Sequence, residues 1–142
     1  MTSLFDKNYL FNQSGVVPYR IAGNEVEILL ITSRRRKRWI IPKGIVEPDL
    51  SPAESAAKEA LEEAGVTGIL HPDEIGEYAY EKWGGICHVK VFLLQVTQVL
   101  DSWEESFLRD RRWLSLPDAI ELIEEQDLQN ILRSIYRIIF NY

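Results

Sequence analysis

Short runs rich in valine and isoleucine alternate with turn residues in the first third of the chain. Residues 14–22 and 25–32 form two such runs around Gly23-Asn24, and this arrangement predicts a β-hairpin. Pro18 lies inside the first run. Because proline cannot donate a backbone hydrogen bond, we expect this strand to be interrupted or to lie at a sheet edge. After a basic segment, residues 39–41 predict a short strand and residues 42–44 predict a loop.

The clearest helix signal begins at Ser51. This residue is a favourable N-cap, Pro52 fits the first helical position, and Glu54 completes a capping box. Gly65 is expected to end the helix. Small apolar side chains recur at helical spacing between these limits and predict close packing on a sheet: Ala53, Ala56, Ala57, Ala60, Leu61 and Ala64.

The second half of the chain predicts more strands and then a helix. Strand-like segments cover residues 75–81, 86–100 and 111–116, and the long middle segment is expected to be central in its sheet. After Pro117 the pattern becomes helical. A terminal helix that covers one face of the sheet is indicated by Leu128, Ile131, Leu132, Ile135, Ile138 and Ile139. This order of elements favours a mixed sheet flanked by helices, an α/β (α+β) fold, in one domain over residues 1–142.

Composition narrows the class of protein. The chain has 142 residues, of which 46% are hydrophobic and 27% charged, a balance typical of one globular domain. No apolar run reaches the roughly 18 residues of a membrane helix, and the N-terminus does not resemble a secretion signal. We therefore expect a cytoplasmic protein without a membrane partner. Cys87 is the single cysteine, so an internal disulfide is excluded.

Charge is unevenly distributed along the chain. The net charge of -6 argues against a stable nucleic-acid partner, because non-specific binding to a polyanion requires many lysines and arginines. Residues 34–38 are nevertheless all basic, whereas acidic residues concentrate in 47–63 and 101–127. Separate blocks of opposite charge suit a small polyanionic ligand that is bound by basic side chains and a bridging metal.

Three glutamates fall on one face of the helix predicted after Ser51. Glu59 and Glu63 are one turn apart, and Glu62 lies three residues after Glu59. Like charges at this spacing cost roughly 0.2–0.5 kcal/mol on an exposed helix, and a divalent cation would reverse the sign. Magnesium prefers such oxygen ligands, and a third carboxylate could accept a proton from an attacking water. The alternative is an ordinary solvated helix, in which Glu54 and Lys58 form a stabilising pair.

The segment around these glutamates resembles the Nudix box. The box pattern is Gly, five residues, Glu, seven residues, Arg-Glu, an apolar residue, any residue, Glu-Glu, any residue, Gly and an apolar residue. Residues 44–66 read GIVEPDLSPAESAAKEALEEAGV, and residues 39–43 (WIIPK) look like the usual lead-in. The positions that match the pattern are Gly44, Glu59, Ala60, Glu62, Glu63, Gly65 and Val66.

The resemblance implies an α/β/α sandwich in which the box forms a loop, a helix and a loop. It implies magnesium-dependent hydrolysis of a diphosphate linkage, with Mn²⁺ as a substitute for Mg²⁺. Carried over by position, Glu59 and Glu63 would ligate the metal, Glu62 would be the general base, and the Lys43–Gly44 backbone would lie near the metal.

Two positions depart from the box. Leu50 stands where the pattern has its first glutamate, and Lys58 stands where it has arginine. Lysine keeps the positive charge but lacks the planar fork that binds a carboxylate through two hydrogen bonds. These departures favour an alternative function, a Nudix-fold nucleotide-binding or regulatory module with little turnover.

Similarity beyond the box, from about residue 14 to residue 123, points to the branch of diadenosine polyphosphate and diphosphoinositol polyphosphate hydrolases. Such small-molecule phosphate substrates favour arginine contacts. The candidate substrate-binding residues are Arg34, Arg36, Arg38 and Lys43, with Arg20, Arg109 and Arg111 as outlying candidates. Hydrolysis of RNA 5′ ends is a further alternative in this family, which the acidic net charge disfavours.

Two aromatic residues could stack on a nucleobase or simply pack, Tyr80 and Trp83. Cys87 and His88 fall on a predicted strand and are not expected to be catalytic. The oligomeric state and the core of the substrate, adenosine or inositol, stay open at this stage.

Overall fold

The computed structural model describes residues 10–35 and 37–141. Arg36 lies outside this part of the chain. The strands are β1 (Leu10–Ala22), β2 (Glu25–Thr32), β3 (Trp39–Ile40), β4 (Lys43–Ile45), β5 (Val66–Leu70), β6 (Gly76–Lys82), β7 (Gly85–Val99) and β8 (Arg111–Ser115). The α-helices are α1 (Pro52–Glu59), α2 (Leu116–Leu122), α3 (Gln126–Arg133) and α4 (Ile135–Phe140), and a π-helical turn (Ala60–Ala64) follows α1.

The strands form one mixed sheet around β1 and β7. These two strands run parallel over residues 10–19 of β1. The predicted hairpin is confirmed, because β1 and β2 pair antiparallel on either side of Gly23-Asn24. The predicted central position of the long strand is also confirmed, since β7 lies between β1 and β5 and also pairs with β6.

Of the two expectations for Pro18, a position at a sheet edge is wrong, whereas an interruption is found on one side of the strand. Pro18 is opposite Leu94 in the parallel pairing of β1 with β7, inside the sheet. On the other side of β1, pairing with β4 ends at Gly15 and pairing with β2 begins at Tyr19. Pro18 therefore lies where β1 changes its partner on that side. Its missing N–H removes no hydrogen bond from the pairing with β4 or from the pairing with β2.

This change of partners places β4, and with it Lys43, beside β1. Ile31 of β2 pairs with Arg111 of β8 on one side and with Ile40 of β3 on the other, so β3 lies between β2 and β1. The segment 42–44, predicted to be a loop, instead continues into β4, which pairs with β1 at Gln13–Gly15. Pairing to a central strand fixes the backbone around Lys43.

Residues of the central strands alternate between two cores, as period-two strands require. Val17, Ile28 and Leu30 face one layer of helices, whereas Val16 and Leu29 face the other. The first core is completed by Ala119, Leu128, Leu132 and Ile135 of α2, α3 and α4. The second is completed by Ala56, Ala60 and Ala64 of α1 and the π-helical turn. The predicted α/β/α sandwich is confirmed.

Two parts of the prediction need correction. The terminal helix is divided into α3 and α4 at Ser134, whose hydroxyl donates to the Ile131 carbonyl oxygen at 2.7 Å and competes with helical bonding. Strand β5 was missed because only Val66 in it is fully buried, so its hydrophobic alternation is weak. Gly68 permits its close approach to β7, since a Cβ there would lie 1.9 Å from the Gln95 carbonyl oxygen.

In the described part of the chain, every helix is too short or too polar to cross a membrane.

Candidate active site

The predicted capping box positions the helix that carries the glutamates. Ser51 Oγ accepts a hydrogen bond from the Glu54 N–H at 3.1 Å, and Glu54 Oε1 accepts one from the Ser51 N–H at 2.9 Å. The Ser14 hydroxyl of β1 donates to the Pro52 carbonyl oxygen at 2.7 Å. The first turn of α1 is therefore fixed both locally and to the central strand.

The end of this helix differs from the predicted regular α-helix. From Ala60 to Ala64 it forms a π-helical turn that ends at Gly65 with a left-handed φ of 68°. Trp103 Nε1 donates to the Glu63 carbonyl oxygen at 3.0 Å, and the Glu105 N–H donates to the Glu62 carbonyl oxygen at 3.1 Å. Turns of this kind are often found at functional sites, and this one carries two of the three glutamates.

Glu59 lies against Gly44. A Cβ added at Gly44 would lie 2.5 Å from the Glu59 carboxyl carbon, so only glycine leaves room for this carboxylate. Partial burial and the nearby Glu62 raise the pKa of Glu59. Gly44 and Glu59 of the box are therefore in direct contact, although they are 15 positions apart in sequence.

Glu63 approaches the same backbone segment from the interior. Its Oε1 accepts the Lys43 N–H at 3.0 Å, and Arg109 Nη2 lies 3.5 Å from its Oε2. The residue is 8% exposed. Burial raises its pKa to about 8, against the opposing effect of the Arg109 charge. A carboxyl group held this way accepts a cation readily, because a cation would offset the cost of burying its charge.

Glu62 has different neighbours. Lys58 Nζ lies 3.4 Å from Glu62 Oε1 and 2.5 Å from Glu47 Oε1. Lys58 therefore pairs with Glu47 and Glu62, and the alternative pairing with Glu54 is absent because Glu54 bonds to Ser51. The box pattern has its first glutamate at position 50, where this chain has Leu50. The carboxylate that pairs with Lys58 comes instead from Glu47.

Glu105 is a site residue that the sequence did not indicate. Its Oε1 accepts a hydrogen bond from Arg109 Nε at 2.8 Å. Its negative charge also contributes to the raised pKa of Glu59 and of Glu63. Glu105 is 39 positions after Val66, the last residue of the box, so its proximity to the glutamates could not be predicted from the sequence. The acidic block 101–127 was the one available signal.

The donor set fits a hard divalent cation. Within residues 10–35 and 37–141, no three acidic, histidine or cysteine side chains are placed to hold a metal ion by themselves. Magnesium commonly takes one or two carboxylates and completes its coordination with water and substrate phosphate oxygens. Two carboxylates against the Lys43–Gly44 backbone suit that pattern.

A pH dependence follows from the burial of Glu63. In metal-free protein its pKa rises from 4.5 to about 8, so the folded state binds a proton that the unfolded state releases. This contribution to the free energy of unfolding is complete below pH 4.5 and is lost as the pH rises through about 8. We expect Tm in a chelator to fall more between pH 5.5 and 8.5 for the wild type than for Glu63→Gln. Parallel curves for the two proteins would contradict this expectation.

Two of the predicted basic residues meet at a pocket beside the glutamates. The pocket has a volume of about 220 Å³ and is lined by Arg38, Lys43, Tyr78, Tyr80, Glu124 and Glu125. Lys43 connects it to the candidate metal site, since its N–H bonds to Glu63 while its side chain lines the pocket. Burial lowers the pKa of Lys43.

Arg109 and Arg111 are engaged inside the protein, which does not suit the predicted contact with substrate. Arg109 is 8% exposed, and its Nη1 donates to the Thr32 carbonyl oxygen at 3.0 Å. Arg111 donates to the carbonyl oxygens of Ala64 and Leu100, and its guanidinium lies 3.9 Å from the centre of the Trp103 ring. Both arginines stabilise the end of the glutamate-bearing helix.

The remaining arginine candidates do not converge on the pocket. Arg34 is exposed in the turn before β3, and Arg36 lies outside the described residues. Arg20 pairs with Glu27 at 2.7 Å and lies over the Trp113 ring.

The other side chains singled out in the sequence have separate places. Tyr80 lines the pocket and donates to Gln13 Oε1 at 2.7 Å, whereas Trp83 is 55% exposed and contacts Phe11 edge to face. Cys87 is buried, and His88 Nε2 lies 3.2 Å from Glu77 Oε2.

Comparison with known proteins agrees with this geometry. The NUDIX domain family model matches residues 12–137. Nudix hydrolase 13, mitochondrial, of Arabidopsis thaliana is 33% identical, over 94% of this chain and 77% of that protein. Diphosphoinositol polyphosphate phosphohydrolase 3-beta of Bos taurus is 37% identical, over 87% of this chain and 75% of that protein. The crystal structure of the C. elegans Ap4A hydrolase superimposes with a TM-score of 0.77 at 27% identity, covering 92% of this chain and 99% of that one. The family match over residues 12–137 and the 33% identity to the Arabidopsis relative show that the chain, whose box places Glu59 and Glu63 at the Lys43–Gly44 backbone, belongs to the Nudix hydrolase family.

Proposed function

We propose that the protein is a magnesium-dependent hydrolase that cleaves a diphosphate linkage in a dinucleoside polyphosphate or an inositol pyrophosphate. The observation that carries the proposal is the placement of the Glu59 and Glu63 carboxylates at the Lys43–Gly44 backbone. The Lys43 side chain extends from that point into the adjoining pocket. One short strand, β4, thus contacts both proposed metal ligands and carries the proposed phosphate-binding cation.

Each residue has a proposed role in the reaction. Glu59 and Glu63 would hold Mg²⁺, which when bound neutralises phosphate charge and lowers the pKa of a bound water. The Lys43 ammonium group binds a phosphate oxygen of the substrate. Arg109 and Glu105 hold the Glu63 side chain in place through the ion pairs described above.

Glu62 is the proposed general base. Its side chain is 28% exposed, so a water can reach it, and Lys58 restricts its orientation. Lys58 is in turn fixed by Glu47. This three-residue arrangement replaces the glutamate and arginine that the box pattern would place at Leu50 and Lys58, and it supports an active site in spite of both departures.

The test is turnover with purified protein and Mg²⁺, or Mn²⁺, on diadenosine tetraphosphate and on diphosphoinositol pentakisphosphate, with products identified by mass. Glu62→Gln should lower kcat by about 10²–10⁴-fold, the usual contribution of a general base. Glu25→Gln, a matched charge change in the exposed start of β2, should leave kcat unchanged. Full activity in Glu62→Gln would assign the base elsewhere.

The second candidate function is a Nudix-fold binding or regulatory module, which the departures at Leu50 and Lys58 favour. It predicts that these compounds raise Tm without product formation in the wild type, Glu62→Gln and Glu63→Gln alike. Turnover by the wild type alone would eliminate it.

Location and other partners stay predictions. The Arabidopsis relative is named a mitochondrial protein, so the comparisons do not support the predicted cytoplasmic location. Hydrolysis of RNA 5′ ends would require strongly salt-dependent RNA binding, which the net charge of -6 disfavours.

A further inference from the structure

The pocket beside the glutamates has an aromatic wall. The rings of Tyr78 and Tyr80 lie with their centroids 6.2 Å apart and an interplanar angle of 24°. The Tyr80 hydroxyl is fixed by its bond to Gln13, and Tyr78 is 5% exposed. Lys43 Nζ lies 5.4 Å from the centre of the Tyr80 ring. This wall offers flat apolar surface next to one cation.

Acidic side chains also line this pocket. Glu124 and Glu125, which connect α2 to α3, line the pocket together with Arg38. Arg38 Nη1 lies 3.0 Å from Glu125 Oε1 and 3.8 Å from Glu124 Oε1. The pocket lining therefore contains two cations and two carboxylates, and Nη1 of the Arg38 guanidinium is already paired with Glu125.

We propose that Glu124 and Glu125 are specificity-determining residues that admit a nucleoside and reject a densely phosphorylated ring. The proposal rests on the proposed function and adds the substrate class. An inositol pyrophosphate carries phosphates around its whole ring, so some of them would face these two carboxylates, and the nearby Arg38 guanidinium is already paired with Glu125. A nucleobase instead brings a flat ring for the tyrosine wall and N–H donors for the carboxylates.

A larger cavity on the described part of the chain does not fit this role. It has a volume of about 370 Å³ and is lined by Asn12, Gln13, Val46, Glu47, Pro48, Leu50, Pro52, His88 and Lys90. Neither lining includes Glu59, Glu62 or Glu63, but Lys43 lines only the smaller of these two pockets. A substrate half bound beside Lys43, by contrast, adjoins the residue whose backbone bonds to Glu63.

The test compares kcat/KM for diadenosine tetraphosphate with kcat/KM for diphosphoinositol pentakisphosphate. We expect the wild type to prefer the dinucleotide by about tenfold or more, and Glu124→Gln/Glu125→Gln to reduce that preference by about tenfold. The matched control is Glu25→Gln/Glu121→Gln, which removes two exposed charges outside the pocket lining and should leave the preference unchanged. A wild type that prefers the inositol compound, or equal shifts in both double variants, would overturn the proposal.

A binding measurement separates this proposal from the proposed function. Calorimetric titration of AMP and of inositol hexakisphosphate in the presence of a chelator needs no turnover. If neither diadenosine tetraphosphate nor diphosphoinositol pentakisphosphate is hydrolysed in the turnover test, the proposed function fails. The specificity proposal still requires that AMP bind more tightly than inositol hexakisphosphate to the wild type. It also requires that Glu124→Gln/Glu125→Gln reduce this difference in affinity. Tighter binding of the hexakisphosphate to the wild type would contradict it.

Discussion

Replacing Glu63 with glutamine is expected to lower kcat for hydrolysis of the preferred diphosphate by about a thousandfold or more. A metal contributes several kcal/mol of transition-state stabilisation, and each 1.36 kcal/mol corresponds to about tenfold in rate. Glutamine keeps an oxygen for the Lys43 N–H but cannot offer a carboxylate to the cation. The measurement is kcat as a function of Mg²⁺ concentration for both proteins.

Stability provides the control for this variant. The metal-free wild type favours an uncharged Glu63 over much of the pH range, because burial raises its pKa to about 8. Glu63→Gln should therefore fold with a Tm at pH 7 close to that of the metal-free wild type, yet lose any rise of Tm on addition of Mg²⁺. Glu121→Gln, on the exposed side of α2, should keep both activity and the Mg²⁺-dependent rise. Full activity in Glu63→Gln would show that Glu63 is not a metal ligand.

Replacing Arg109 with methionine is expected to lower the free energy of unfolding by about 3 kcal/mol and Tm by roughly 10 °C. The guanidinium group is buried and bonds to Glu105, Glu63 and the Thr32 carbonyl oxygen. Methionine approximates the length of the side chain but removes the donor to the Glu105 carboxylate and the Thr32 carbonyl oxygen, and the cation beside Glu63. Urea denaturation and thermal unfolding measure the loss.

Arg112 supplies the matched control, because its side chain is exposed on the neighbouring strand. Arg112→Met should change stability by less than about 0.5 kcal/mol. If Arg109→Met instead kept its stability and raised only KM, Arg109 would contact substrate, as first expected from the sequence. The comparison thus distinguishes a positioning residue from a binding residue.

Structural features that depend on neighbouring residues are predicted correctly from the sequence. The capping box at Ser51 and Glu54, the stop at Gly65 and the β1–β2 hairpin depend on neighbouring residues alone. The alternation of Val16 and Val17 between two cores follows from the period of a strand. The spacing of Glu59, Glu62 and Glu63 within the box was likewise sufficient to indicate the family.

Contacts that join distant segments were not available from the sequence. Lys58 has Glu54 at the ideal helical spacing, yet it pairs with Glu47, because Glu54 is used by the helix cap. Because proline lacks a backbone N–H, Pro18 favours a sheet edge or an interruption, yet it lies in a central strand, at the point where that strand changes partners on one side.

By itself, the sequence determined a glutamate-bearing helix that begins at Ser51 and ends at Gly65, because capping and periodicity are properties of consecutive residues. Only the tertiary structure decided how the three glutamates differ. The π-helical turn and the pairing of β4 with β1 bring Glu59 and Glu63 to the Lys43–Gly44 backbone and leave Glu62 beside Lys58. The physical reason is that burial, and with it the raised pKa of Glu63, depends on segments 20 to 46 residues away that sheet pairing places around it.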